Sequence, residues 1–439
     1  MAEFLEKQRS GCAFGAFYTA LAIKNVLPLA HAGPGCVHEA LIFLGAKNGG
    51  QGPYTYSEPI IPSTNFTESD VVFGGVEKLA ETIKHSLENF KTEMIMIFSG
   101  CTPAIVGDDV EEVTGRFEDA DIPVLAVETA GFKGNNIYGH HQVLRALIEK
   151  YVKPTNEIDE QQVNVWGIIP FQDPFWDGTY DAVEKLLKSV GLKPNIIYGN
   201  RPGLENARKI PSAKFNLVLS PWWDREIAEL LEDKFNTPYF VYPNIPIGAL
   251  ETAKFLRALA AYAKLDETLV NKAIQEGEDK YFYYFNRLMN WYYEFSVAPK
   301  RFYIIGNSPL STGIAKYLVN ELGLVPVKAY ITDNAPEERQ QEIAREFQAF
   351  DGGLSAEVVF TADGGLPEAQ ITKEVTENQW RHPAYILGSY WDATWAKAIN
   401  APFLPVSTPM GDCIIANKTY FGYDGALALF EDFFSALDI

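Results

Sequence analysis

The chain has 439 residues and a net charge of −20, with 47% hydrophobic and 21% charged residues. At ~150 residues per domain, this length predicts two to four domains rather than a single core. The acidic charge argues against a nucleic-acid partner, since phosphate binding requires a basic face. No apolar run approaches the ~18 residues of a membrane span, and the charged start lacks the apolar core of a signal peptide. We therefore expect a cytoplasmic protein that has no membrane partner.

Strands and one helix are predicted in the first third of the chain. The apolar runs EMIMIFSG (93–100) and IPVLAVET (122–129) predict buried strands. HHQVLRALIEKYV (140–152) has the apolar spacing of an amphipathic helix. The polar stretch 153–162 is typical of a linker, which places a first domain over residues 1–160.

The middle of the chain repeats the pattern of apolar run, turn and helix. VNVWGIIP (163–170) predicts a strand, and residues 179–192 predict a helix that ends near a glycine. Three further strands are predicted by NIIYGN, FNLVLSP and PYFVYP. Long helical patterns then cover 248–265 and 266 to about 297, so a second domain is expected over 161–298.

A third unit, 299–439, opens with RFYIIGNSPLSTGIAKYLVNELGL, which reads as strand, glycine turn and helix. Strands that alternate with helices predict parallel sheets covered on both faces. We therefore expect an α/β protein of three doubly wound, Rossmann-like parallel-sheet domains. The glycine turn at 304–313 lacks the dinucleotide spacing, and no Walker pattern occurs in the sequence, so no ATP site is expected in this chain.

The chain has four cysteines: Cys12, Cys36, Cys101 and Cys413. HAGPGC (31–36) and SGC (99–101) both follow apolar runs, and in parallel sheets ligands bind in the turns at the carboxyl ends of strands. Three interpretations are open: buried structural thiols, a zinc site with His31 or His38, or an iron–sulfur cluster. Small residues flank each of the first three cysteines and leave room for a bulky cluster. Three thiolates are too few to close a large cluster, so this would be a half-site that needs a partner chain.

Four segments carry a resemblance to a known family: residues 12–36, 64–75, 99–110 and 128–134. They resemble the component 1 proteins of the nitrogenase superfamily, as does GYDGALALFEDFF near the end of the chain. The resemblance implies that Cys12, Cys36 and Cys101 are the metal ligands of this chain. They would hold half of an [8Fe-7S] P-cluster that is shared with a partner subunit.

The resemblance also favours a β-type subunit. An α-type subunit uses a cysteine in its middle domain to hold the catalytic cofactor, and this sequence has no cysteine between Cys101 and Cys413. The GHH motif at 139–141 is more typical of the α type. The iron–sulfur catalytic cofactor is thus expected in a homologous α-type partner, in an α2β2 complex. An ATP-dependent iron–sulfur reductase protein is expected to supply its electrons.

Two departures from the nitrogenase pattern favour another member of the superfamily. The first motif reads Cys12-Ala13-Phe14 instead of C-Q-P, and the second ends in Pro34-Gly35-Cys36. The complete cysteine set disfavours assembly scaffolds and protochlorophyllide reductases. We expect an oxidoreductase subunit, with methylthio-alkane reductase as the preferred member. The alternatives are a molybdenum, vanadium or iron-only nitrogenase β subunit and a cofactor-assembly scaffold. A metal-free interaction protein is a further alternative.

Residues around the cysteines have expected roles under this resemblance. Gly35 and Gly100 would leave room for the cluster, and Ser99 would either reach it or form a turn hydroxyl contact. Asp108 and Asp109 would orient the loop after Cys101 or cap the next helix. His31 and His38 are candidates for hydrogen bonding near the cluster, and Cys413 is expected to be a structural thiol or a cofactor ligand.

Overall fold

The computed structural model describes residues 5–52, 61–295, 299–378, 383–411 and 413–437. These residues form three parallel sheets, and the strands of each sheet come from one continuous part of the chain. This confirms the α/β class with three parallel sheets. The domain break expected near residue 298 lies outside the described residues.

The first sheet has the strand order β1-β2-β3 and is parallel throughout. Every residue of the first two strands is buried, as expected for a sheet covered on both faces. The elements of this part are β1 (Val26–His31), β2 (Met94–Ser99), β3 (Val124–Val127), α1 (Ala16–Leu21), α2 (Pro34–Ala46), α3 (Glu68–Phe73), α4 (Val76–Asn89), α5 (Cys101–Val106), α6 (Val110–Gly115) and α7 (Asn136–Ala146).

The second sheet has the order β5-β4-β6-β7. Its elements are β4 (Asp159–Trp166), β5 (Lys193–Asn195), β6 (Ala213–Val218), β7 (Tyr239–Val241), α8 (Trp176–Ser189), α9 (Gly203–Arg208), α10 (Arg225–Phe235), α11 (Gly248–Ala263) and α12 (Glu267–Phe295).

Three predicted boundaries were wrong. The linker expected over 153–162 contains the first four residues of β4, which are polar although the fourth, Gln162, is buried. The strand expected at NIIYGN ends at Asn195, whose side chain donates to Asn164 Oδ1 at 2.8 Å. The helix expected over 140–152 is α7 only to Ala146 and then continues as a π-helical turn.

The third sheet has the order β10-β9-β8-β11-β12. All its strands are parallel, and the strand order reverses at β8: β9 and β10 lie on one side of β8, and β11 and β12 lie on the other. Its elements are β8 (Arg301–Gly306), β9 (Val325–Ile331), β10 (Glu357–Phe360), β11 (Tyr385–Gly388), β12 (Phe403–Pro405), α13 (Ser308–Asn320), α14 (Glu337–Glu346), α15 (Gly365–Asn378), α16 (Tyr390–Ala398) and α17 (Gly422–Ser435).

One large hydrophobic cluster extends through all three parts, and the first and third sheets each have a smaller separate cluster. The last helix, α17, packs against α11 and α12 of the second part, so the chain returns to its middle at the end. A single cluster of buried side chains includes Phe17, Trp176 and Tyr317, one from each part. Of the helices in the described ranges, none is long and apolar enough to cross a membrane.

Candidate functional site

Cys36 and Cys101 lie at the same edge of the first sheet. Cys36 is in the first turn of α2, just after β1, and Cys101 is the first residue of α5, just after β2. The two strands pair with His31 opposite Ser99, and the Gly100 amide donates to the His31 carbonyl at 2.9 Å. Both thiols are exposed. The strand-to-turn placement predicted this common edge.

Cys12 reaches the same edge through the loop that follows β3. It pairs with Asn135 in an antiparallel bridge. On one side the Ala13 amide donates to the Gly134 carbonyl at 2.9 Å, and on the other the Asn136 amide donates to the Gly11 carbonyl at 3.0 Å. Cys12 is also exposed. The turns after β1 and β2 therefore each contain one cysteine, and the loop after β3 holds the third at the same edge.

Gly131 marks the point where two of these thiols approach each other. A Cβ atom on Gly131 would lie 3.0 Å from Cys101 Sγ and 3.2 Å from Cys12 Sγ. Any side chain here would press on both sulfurs. Gly131 belongs to the segment ETAGFKG, which carried part of the family resemblance, but its role was not predicted. The only feature of the sequence that could have indicated this role is a glycine in the turn between a strand and a helix.

The thiol groups also influence each other electrostatically. Cys36 is an exposed residue, but neighbouring protein atoms partly desolvate its thiol, and this desolvation together with the nearby Cys12 and Cys101 raises the pKa of Cys36. Burial, Glu39 and Cys12 raise the pKa of Tyr18. Within the described ranges, no three His, Cys, Asp or Glu side chains converge as ligands of a single metal ion.

His31 is not free to act as a zinc ligand. It is buried, and its Nε2 lies 2.9 Å from Asp108 Oδ2 while its Nδ1 lies 3.2 Å from Thr64 Oγ1. Burial lowers the pKa of His31 although Asp108 opposes the shift, so the neutral ring donates from Nε2 to the carboxylate. His38 is exposed on α2.

The two aspartates after Cys101 divide the roles expected of them. Asp108 accepts from the Gly75 amide at 3.0 Å as well as from His31, so it ties three loops together. Asp109 caps α6, since its Oδ1 accepts from the Glu112 amide at 2.9 Å. Loop orientation thus belongs to Asp108 and helix capping to Asp109.

The other expected contact residues have clear surroundings. Gly35 has no described atom within 4 Å of the position that a Cβ would take. A Cβ on Gly100 would lie 2.8 Å from the Ala32 Cβ, so this glycine allows the two cysteine turns to pack closely. The Ser99 hydroxyl is buried and lies 3.5 Å from the Gly100 carbonyl, as in a turn contact.

Exposed apolar side chains lie on the segments that carry or adjoin the cysteines: α5 begins at Cys101, α3 contacts α5, and Phe132 follows Gly131. On α3, Val72 is 72% and Phe73 is 85% exposed. On α5, Ile105 is 74% exposed, and Phe132, next to Gly131, is 61% exposed. Contiguous exposed apolar residues of this kind mark protein interaction sites. The cysteine edge therefore has the character of an interface.

Cys413 belongs to a different place. It is half-buried and packs against the main core. Its segment pairs with residues 47–49, beyond the far end of α2, while Cys36 stands at the beginning of that helix. At ~1.5 Å per residue, the length of α2 separates these two positions by roughly 15 Å.

The GHH segment takes part in a buried network that the sequence analysis missed. His140 Nε2 lies 2.8 Å from Asp224 Oδ1, and its Nδ1 lies 2.7 Å from Thr19 Oγ1. The second carboxylate oxygen of Asp224 accepts from the Gly167 amide at 2.8 Å. Burial lowers the pKa of His140 although Asp224 opposes the shift. The network joins α7 to the start of α10, and nothing in the sequence around Asp224 indicated it.

Comparisons with known proteins support the resemblance. A family model described as nitrogenase component 1 type oxidoreductase matches residues 12–438. One chain of the light-independent protochlorophyllide reductase of Prochlorococcus marinus (strain MIT 9312) is 24% identical over 437 residues, covering 95% of this chain and 77% of the relative. The corresponding chain from Halorhodospira halophila (strain DSM 244 / SL1) is 23% identical over 430 residues, covering 95% and 75%. These relatives carry the protochlorophyllide reductase name and not that of methylthio-alkane reductases.

The fold itself has solved counterparts. A structure described as nitrogenase Cp1 at pH 6.5 matches with a TM-score of 0.80 at 18% identity, covering 99% of this chain and 94% of that one. The same protein at pH 5 matches with a TM-score of 0.74, again at 18% identity, covering 99% and 90%. The three-sheet architecture expected from the sequence is confirmed.

Proposed function

This chain belongs to the family of nitrogenase component 1 type oxidoreductases, and on that premise we propose that it holds half of an iron–sulfur cluster. Cys12, Cys36 and Cys101 are the ligands, and the cluster is a P-cluster of the [8Fe-7S] type. The observation that carries this proposal is the arrival of three exposed thiols at one edge of one sheet. When bound, the cluster supplies one-electron redox chemistry.

The residues around the thiols fit such a group. Gly131 leaves the space between two sulfurs free, and Gly35 faces open space beside the third. Thiolate is the form that binds iron, and bound metal deprotonates a coordinating thiol despite the raised pKa of free Cys36. Gly100 brings the Cys36 and Cys101 turns together.

A second polypeptide completes the site. Three ligands on this chain leave the cluster half-enclosed, and the apolar side chains around the cysteines are too exposed to suit an isolated protein in water. A homologous α-type subunit would cover this edge and carry the catalytic cofactor, in an α2β2 complex. An ATP-dependent iron–sulfur reductase would donate the electrons.

We propose methylthio-alkanes as the first substrate class. Two electrons and two protons would cleave the carbon–sulfur bond of a thioether to a thiol and an alkane. The support is the complete cysteine set together with the departures at Ala13 and Pro34 from the nitrogenase motifs. A second candidate is reduction of a tetrapyrrole of the protochlorophyllide class, since relatives of that name match along 95% of the chain.

The substrate assay separates these candidates. The anaerobically purified complex, with its reductase protein and ATP, would receive ethyl methyl sulfide, protochlorophyllide or dinitrogen. The proposal predicts thiol and alkane only from the first. If the complex instead reduces protochlorophyllide or dinitrogen, methylthio-alkanes are not its substrate class. A Cys36→Ala complex should be inactive on every substrate, because its cluster is lost. If the wild-type complex turns over none of the three, the chain acts as a scaffold or on another substrate.

A further inference from the structure

Loops from all three sheets meet around a cavity of ≈ 30 Å³. Gln172 follows β4 and Trp223 follows β6, while Asn307 and Asp333 follow strands of the third sheet. Asn136, which begins α7 after β3, completes this part of the lining. In parallel sheets the carboxyl edge is where ligands bind. The cavity therefore lies where three such edges converge.

Four of the lining side chains have a buried polar atom that lacks a hydrogen-bond partner among the described residues. These atoms are Arg9 Nε, Asn136 Oδ1, Trp223 Nε1 and Asp333 Oδ1. Asn136, Trp223 and Asp333 are 5%, 1% and 8% exposed, and the Arg9 side chain is 2% exposed. A buried polar group is almost always paired, with protein or with ordered water, because leaving it unpaired costs free energy. Their concentration around one cavity indicates a shared partner inside it.

Other polar atoms of these side chains already have hydrogen-bond partners. The unpaired atoms therefore determine which hydrogen bonds a bound molecule must donate and accept. Asn136 Nδ2 donates to Gln172 Oε1 at 2.5 Å, so its oxygen is left as an acceptor. Asp333 Oδ2 accepts from the Ser308 amide at 2.8 Å, which leaves Oδ1. The Trp223 indole nitrogen and Arg9 Nε can only donate. The partner must accept from these two nitrogens and donate to the two oxygens.

The charge and the size of the cavity further restrict the kind of molecule that can bind in it. Arg9 also lines the cavity, but its guanidinium is paired with Asp392 at 2.5 Å, so the cation is already neutralised. A neutral molecule is thus favoured over an anion. A cavity of ≈ 30 Å³ exceeds the roughly 10–15 Å³ that one water molecule requires.

We propose that this cavity is a binding site for about two ordered water molecules that join the first sheet to the other two. Water satisfies Asp333 in either protonation state, since it both donates and accepts. The site also backs the Cys12 loop, because the Asn136 amide holds the Gly11 carbonyl at 3.0 Å. The proposal is independent of iron and extends beyond the proposed function.

A crystal structure of the anaerobically purified complex, at a resolution that shows ordered water, tests the site directly. We expect water density within 3.2 Å, about the upper hydrogen-bond distance, of Trp223 Nε1, Asn136 Oδ1 and Asp333 Oδ1. Direct bonds among these side chains, a cavity without density, or density for a different small molecule would each overturn the proposal.

A pair of tryptophan variants tests it in solution. Trp166 is a matched control for Trp223, because it is 2% exposed and its Nε1 donates directly to Asn216 Oδ1 at 3.0 Å. With water present, Trp223→Phe loses a hydrogen bond and should lower the unfolding midpoint about as much as Trp166→Phe does. If the indole nitrogen is instead unpaired, Trp223→Phe relieves an unpaired donor. A midpoint unchanged or raised by Trp223→Phe, with a clear drop for Trp166→Phe, would overturn the water site.

Discussion

The carboxyl edges of the three sheets are built by the same pattern of strand, turn and helix, yet they end in different environments. At the first sheet, three thiols and several large apolar side chains are exposed. After β6 of the second sheet, Trp223 and Asp224 are buried, and Asp224 accepts from the Gly167 amide. After β9 of the third sheet, Asp333 is buried beside the same small cavity that Trp223 lines. Exposure distinguishes the first edge, where we propose that a partner chain binds, from the two edges that this chain buries.

The largest effect should come from a proposed cluster ligand at the cysteine edge of the first sheet. Cys101→Ala removes one of the three proposed ligands, and we expect iron content and electron-transfer activity to fall further than the ~10–100-fold typical of mutating a residue that hydrogen-bonds to a metal ligand. The measurement is iron per chain in the purified complex. Cys413→Ala is the control, since Cys413 packs against the core at the far end of α2 and should leave the iron in place. Equal iron in the two variants would contradict the site.

A substitution at the buried edge of the second sheet should lower stability and leave the iron content unchanged. Asp224→Asn weakens the buried contacts to His140 and to the Gly167 amide, and should cost about 3 kcal/mol of unfolding free energy. Iron per folded chain should remain unchanged. Denaturant unfolding measures the first quantity and metal analysis the second. The exposed Asp119→Asn serves as a control with little effect on either. A loss of iron from the folded Asp224 variant would show that the two edges are not separate.

Gly131→Ala places a methyl group between two thiols without removing either. Its Cβ would lie 3.0 Å from Cys101 Sγ and 3.2 Å from Cys12 Sγ, so the sulfurs must shift and iron retention should decrease. The effect should stay below that of losing a ligand, because all three thiols remain. Gly115→Ala, where no described atom lies within 4 Å of the added carbon, is the matched control. Full iron retention in the Gly131 variant would mean that the cluster does not lie between these sulfurs.

Neighbouring aspartates allow a finer comparison at the cysteine edge of the first sheet. Asp108→Asn weakens charged hydrogen bonds to His31 and the Gly75 amide, and should cost about 2 kcal/mol of stability. Asp109→Asn should be nearly neutral, because asparagine caps a helix about as well as aspartate. Thermal or denaturant unfolding of both variants checks this difference. Equal losses of stability in the two variants would contradict the role of Asp108 in holding these loops together.

The smallest expected effect concerns the pH dependence of the free energy of unfolding. His31 and His140 have pKa values lowered by burial from the ordinary 6.5, so the folded protein holds them neutral while the unfolded chain takes up protons. Their contribution to stability is fully present above pH 6.5 and declines as the pH falls below 6.5. The slope is at most about 1.4 kcal/mol per pH unit for each histidine. Unfolding titrations over this window should show a shallower slope for His140→Gln than for the wild type. An unchanged slope would mean that His140 protonates in the folded state.

The sequence predicted the sheets well because apolar runs and glycine turns are local signals. It also placed Cys36 and Cys101 at one edge, since parallel strands end on the same side. It did not reveal Gly131 or Asp224, whose roles depend on distant contacts: one faces two thiols, and the other faces histidines on α7. The start of β4 could not be predicted because its first four residues are polar and give no apolar run.

Metal analysis of the wild-type complex tests the central claim most directly. The chain would be purified without oxygen together with its α-type partner, and iron, molybdenum and vanadium would be measured for each pair of subunits. A shared P-cluster plus a second cofactor predicts iron well above about eight atoms per pair. Iron near or below about eight would exclude the second cofactor, and a complex without iron would contradict the assignment of Cys12, Cys36 and Cys101 as cluster ligands.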